Sequence, residues 1–149
     1  MILIRTILVL AIAATACTSG PSQLYEGPAR PREETALVTK APGGKARVYA
    51  IDRTRVSGDS FWLLPGPHSV WVNFQVTRHG GDVTYTIWAY CQMDFEATAG
   101  ATYVVHSIAT QEGMRGFAVK TQLGAKILTA EGRAVASAQT CSGERPRLG

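Results

Sequence analysis

From Glu34 onward, apolar and polar residues alternate in short runs separated by Gly, Pro and Asp. The segments TALVTK, ARVYAID, FWLL, HSVWVNFQVT, VTYTIWAYCQMDFEA, TYVVHSI, GFAVK and AKILTA are rich in Val, Ile, Tyr, Trp and Thr. Branched and flat side chains of this kind fit a pleated surface. Their number and spacing predict an all-β domain over residues 34–141, an antiparallel β-sandwich of roughly seven to eight short strands. AEGRAVASAQT fits either a final strand or one short C-terminal helix, since its small residues favour neither strongly.

The two longest runs flank RHGGD and both alternate, which predicts a hairpin. Pairing Thr77 with Asp82 sets Val76 against Val83, Phe74 against Tyr85, Val72 against Ile87 and Val70 against Ala89, an apolar inner ladder. On the outer face the same register puts Trp71 opposite Trp88, Asn73 opposite Thr86, Gln75 opposite Thr84 and Ser69 opposite Tyr90. A slip of one residue breaks both ladders. Trp71, Trp88 and Tyr90 do not belong on a face open to water, so they form a candidate partner surface. In the competing reading, residues 125–139 fold over these rings and make them a second small core.

The start of the chain follows a different pattern. Residues 1–16 carry one base, Arg5, then an apolar stretch, then Ala14, Thr15 and Ala16. This is the layout of a secretory signal peptide, and it falls short of the about 20 apolar residues of a membrane span. Small residues directly before Cys17 resemble the lipobox of bacterial lipoproteins, with Ala14 where that family most often has Leu. The resemblance implies cleavage before Cys17, acylation of its sulfur and amino group, and anchoring in a lipid bilayer by two or three chains. Thr18 in place of Asp implies the outer membrane, facing the periplasm, rather than the inner membrane. Residues 17–33, with Pro21, Pro28 and Pro31 and no apolar periodicity, read as a lipidated tether that holds the domain clear of the headgroups. Residues 142–149 read as a flexible tail.

Export changes the meaning of the cysteines. The chain has three, and with Cys17 given to lipid, Cys91 and Cys141 remain as a pair in an oxidising compartment, where a disulfide persists. Two unpaired buried thiols are the alternative. Neither lies in a C-x-x-C or at zinc spacing, so no metal site is expected.

Charge adds little. The net charge is +4, and the arginines are scattered among acids, unlike the clustered bases of a nucleic-acid binder. Nucleic acid is therefore not an expected partner. GDSF at 58–61 matches the nucleophile block of one esterase group, but no histidine follows an Asp by three residues, and Ser60 without a base is an ordinary hydroxyl. No G-x-S-x-G, P-loop or H-E-x-x-H occurs. Asp94 and Glu96 share a solvated strand face, His68 and His106 read as edge residues, and His79 reads as a hairpin tip. No catalytic residue and no cofactor is expected.

VYAIDRTRV, FWLLPGPHSVWVNF and CQMDFEATAGATYVV resemble the small β-sandwich domains of bacterial envelope lipoproteins, which in turn resemble PEGA domains. The shared features are L-x-P-G-x-H-x-V-x-V at 63–72 and F-x-A-x-A-G-x-x-Y at 95–103. The resemblance implies a fold in which Pro65 and Gly66 turn the chain between strands, and Gly100 begins a turn before Tyr103 enters the core. It implies no reaction. The resulting expectation is a membrane-anchored binding or scaffolding module of the cell envelope, with an envelope protein as partner. The alternative is an envelope hydrolase with an unrecognised active site.

Overall fold

The computed structural model describes residues 20–80, 83–111, 121–138 and 141–148. The signal segment 1–16, Cys17, the GFAVK run and the His79 side chain lie outside what is described. Ten strands occur among the described residues: β1 (Ser22–Gln23), β2 (Ala36–Lys40), β3 (Arg47–Ile51), β4 (Thr54–Arg55), β5 (Ser60–Leu63), β6 (Gly66–Gly80), β7 (Val83–Ala97), β8 (Thr102–Gln111), β9 (Thr121–Thr129) and β10 (Ala134–Ala138). They form a larger sheet in the order β1-β5-β2-β8-β9-β10 and a smaller one in the order β4-β3-β6-β7. The expected all-β sandwich is observed. Its pairings are antiparallel except β1 with β5 and β2 with β8, which are parallel.

One core lies between the sheets, because period-two alternation sends every second residue inward. Val38, Phe61, Leu63, Val105 and Ile127 from the larger sheet meet Val48, Ile51, Val70, Val72, Phe74, Cys91 and Met93 from the smaller one. Gly66 (φ 128°) and Gly100 (φ 76°) occupy left-handed positions at turns, and Tyr103 is buried, with its hydroxyl accepting the Thr98 amide at 2.9 Å.

One open alternative is decided and three sequence expectations change. First, of the two readings of AEGRAVASAQT the final strand is the one formed, a turn followed by β10, and no α-helix occurs among the described residues. The small side chains let β10 approach β9 so closely that a Cβ on Gly124 would lie 2.7 Å from the Ala138 carbonyl oxygen.

Second, the central hairpin closes nearer its tip. Gly80 pairs with Val83, so Val76 faces Ile87, Phe74 faces Ala89 and Val72 faces Cys91. The shift is even, so the inner and outer faces are as expected while every partner differs. Alternation specifies parity, and backbone ladders extend past polar residues without regard to their side chains.

Third, the tether is not loose along its whole length. Ser22 and Gln23 pair with Phe61 and Trp62, the Leu24 amide bonds the Trp62 carbonyl at 3.0 Å, and the Leu24 side chain packs on the core. The free edge of β5 offers unpaired backbone groups, and this short segment satisfies them.

Fourth, residues 142–148, read as a flexible tail, run along the smaller sheet. Ser142 and Tyr90 exchange backbone hydrogen bonds of 2.8 and 2.9 Å. Cys91 and Cys141 form the expected disulfide just beside this pair.

Candidate functional site on the outer face of the smaller sheet

The outer face is shaped by an irregularity in β3. Val48 pairs with Val72 and Ala50 with Trp71, leaving Tyr49 as an extra residue. Such a bulge turns two successive side chains to one side. Val48 and Ile51 therefore enter the main core, while Tyr49 and Ala50 join Tyr90 in a second, smaller cluster on the outer face. The Tyr49 and Tyr90 rings meet edge to face, with centroids 5.4 Å apart. Trp71 and Leu148 pack against this cluster.

Arg55 and Arg145 approach the Tyr49 ring with guanidinium carbons 5.3 and 5.8 Å from its centroid. Cations so placed are attracted to the ring's negative face. The Arg145 guanidinium also bonds the Tyr90 side chain, and this contact, followed by the proximity of Tyr49 and Tyr90, holds Arg145 above its ordinary range. The second core expected from residues 125–139 is thus made by the tail instead. Residues 125–138 cannot reach this face, because β9 and β10 belong to the other sheet.

The three predicted aromatics consequently do not form one patch. Trp71 lies opposite Gln92, not Trp88; Trp88 lies opposite Gln75; Tyr90 lies opposite Asn73. Tyr90 is 8% exposed, Trp71 is half-buried and Trp88 is 48% exposed. Two separate hollows result. Under the tail, Trp71 lines a cleft of about 670 Å³ with Asp52, Arg53, Ser69, Gln92 and Arg147. Nearer the hairpin tip, Trp88 lines a groove of about 410 Å³ with Lys40, Lys45, Arg47 and Gln75.

Asp52, at the edge of the cleft, belongs to a pair that sequence spacing did not reveal. Asp52 and Arg53 form a two-residue turn between β3 and β4, with φ of 48° and 66°. Positive φ at both central residues is the hairpin geometry that matches strand twist. The turn presents the Asp52 carboxylate to the start of β6, where Oδ1 accepts the Ser69 amide at 2.9 Å and Oδ2 lies 2.6 Å from His68 Nδ1. His68 Nε2 donates to the Leu64 carbonyl at 2.8 Å, since a carbonyl can only accept. An Asp-His pair orients a base in many hydrolases. Here the nitrogen that would face a nucleophile is engaged by Leu64. Ser60, the GDSF hydroxyl, shares a 2.9 Å bond with Thr39 Oγ1. Asp94 and Glu96 line a third hollow with His68 and Asp52. No cluster of three or more metal-ligating side chains occurs among the described residues. The local signal for the Asp52–His68 contact was absent, because the residues are sixteen apart and meet only through the turn.

Comparison with known proteins finds no family model, no curated protein and no solved structure that matches this chain.

Proposed function

We propose that this protein is a lipid-anchored, PEGA-like module of the bacterial cell envelope that works by binding or scaffolding rather than by catalysis. In this reading Cys17 carries the anchor in the outer membrane, facing the periplasm. The partner, an envelope protein, meets the outer face of the smaller sheet. The observation that carries the binding role is the Trp71 cleft, where a half-buried indole is flanked by Arg53 and Arg147 and by the polar groups of Gln92 and Ser69. Such a mixture of flat apolar area and fixed hydrogen-bonding groups is how contact surfaces gain both affinity and orientation. The engagement of His68 Nε2 by Leu64 and of Ser60 by Thr39 weighs against the hydrolase alternative.

Metabolic labelling with a fatty acid tests the anchor: the wild type takes up label and Cys17→Ala does not. Equal labelling of both removes this reading. A photo-crosslinking side chain in place of Gln92 tests the binding role in living cells. A discrete adduct that disappears with Arg53→Glu is expected, and its absence at every growth stage rejects the cleft as a partner site.

A further inference from the structure

The strand formed by Ser22 and Gln23 alters where the anchor can hold the domain. With Ser22 fixed against Phe61, few residues separate Cys17 from the fold: at about 3.4 Å per residue, Cys17 lies at most about 17 Å from Ser22. The fold is therefore held close to the surface that anchors Cys17, not clear of it. The described chain also enters the fold at one end of the sandwich. Ser22 is level with Phe61, the chain before it runs towards Ser60 and Asp59, and Asp59 pairs with Lys40 at 2.8 Å. Lys40 lines the groove of Trp88.

That groove carries the chemistry of a headgroup site. The β2–β3 connection turns tightly, with the Gly44 amide on the Ala41 carbonyl at 2.9 Å, and delivers Lys45 and then Arg47 beside the hairpin. Arg47 faces Asn73, where β3 stops pairing with β6. Trp88 stands across from the next outward residue, Gln75. Lys45 and Arg47 are exposed and make no ion pair among the described residues. Among the described residues no carboxylate lines the groove. Two unneutralised cations attract an anionic membrane surface, and indole rings favour the level of the headgroups.

We infer that the Lys45–Arg47–Trp88 groove binds the headgroups of anionic phospholipids and seats this end of the sandwich on the membrane. The orientation rests on the acylation of Cys17, whereas the groove's affinity for anionic lipid does not require it. Seated in this way, the domain turns the opposite end of the hairpin, with the Trp71 cleft, away from the bilayer and towards a partner.

The test uses the chain from Cys17 onward, which contains the whole described core, with Cys17→Ser so that no acyl group contributes. Its binding is measured by co-sedimentation with vesicles of phosphatidylglycerol and phosphatidylcholine in equal parts, and with phosphatidylcholine alone. Binding to the anionic vesicles is expected, weakened on the order of tenfold or more by Lys45→Glu with Arg47→Glu and lowered by added salt. Arg32→Glu with Arg133→Glu makes the same charge change at the opposite end and should have a much smaller effect. Quenching of indole fluorescence by brominated lipid should be lost with Trp88→Phe. Equal binding to both vesicle types, or equal losses in the two double variants, overturns the inference. Fatty-acid labelling of Cys17 is read separately: labelling without vesicle binding rejects the groove and leaves the anchor. Vesicle binding without labelling retains the groove and rejects the anchor.

Discussion

The bond between Cys91 and Cys141 joins the outermost strand of the smaller sheet to the chain leaving β10, the outermost strand of the larger one. It closes one side of the sandwich that no shared strand closes. The loop spans 50 residues, so the chain-entropy model assigns it about 4 kcal/mol. Out of a total of about 5 to 15 kcal/mol for a domain, that is a large share. Urea unfolding of the Cys91→Ala, Cys141→Ala variant should show a midpoint lowered accordingly and indifferent to reductant. A midpoint equal to that of the oxidised wild type would contradict it.

Trp88 and Tyr90 point to the same side of the same strand yet have different surroundings. Tyr90 is enclosed by Tyr49, Ala50 and the tail, so Tyr90→Ala should cost about 3 kcal/mol, the range for removing a buried ring. Trp88→Ala should cost less than about 1 kcal/mol, as expected for a side chain half in water. Thermal melts of the two variants check the ordering, and a reversal would show that Trp88 is packed rather than available.

Gly124 is required by space, not by its backbone angles. A methyl group there meets the Ala138 carbonyl oxygen, an atom held by the strand itself and unable to swing aside. Gly124→Ala should therefore push β10 away from β9 and lower stability by about 1 to 3 kcal/mol. Amide exchange should quicken at residues 134–138 before it does in β6, and uniform protection across both would count against this account.

The turn between β9 and β10 carries a small pH dependence. The Thr129 hydroxyl, then the backbone amide of Glu131, then Arg133 hold the Glu131 carboxyl below its ordinary value of 4.5. A carboxyl whose folded value lies below its unfolded one adds stability above the unfolded value and loses it as the pH falls through the folded one. The window thus lies on the acid side of 4.5. Carboxyl titration by NMR should find Glu131 low in the wild type and returned towards its ordinary value in Thr129→Val.

The long strands of the central hairpin and their facing were legible along the chain because both depend on neighbours one and two residues away. VTYTIWAYCQMDFEA coincides with β7, and the inward set Val70, Val72 and Phe74 survived an error in register because that error was even. The disulfide was legible for a different reason: once Cys17 is assigned elsewhere, only one pair remains to be made. What covers each face was not legible. Ser22 and Gln23 show no periodicity and become a strand only because β5 has a free edge. Tyr90 is buried because the β3 bulge sets Tyr49 and Ala50 against it and the tail, fixed at Ser142 beside the Cys91–Cys141 bond, adds to the cover. Asp52 reaches His68 only through the turn that follows β3. Alternation is a local record of which side of a strand faces apolar surroundings. Edges, tails and turns are placed by whichever distant backbone and side-chain groups would otherwise remain unpaired, and that is settled only when the sheets come together.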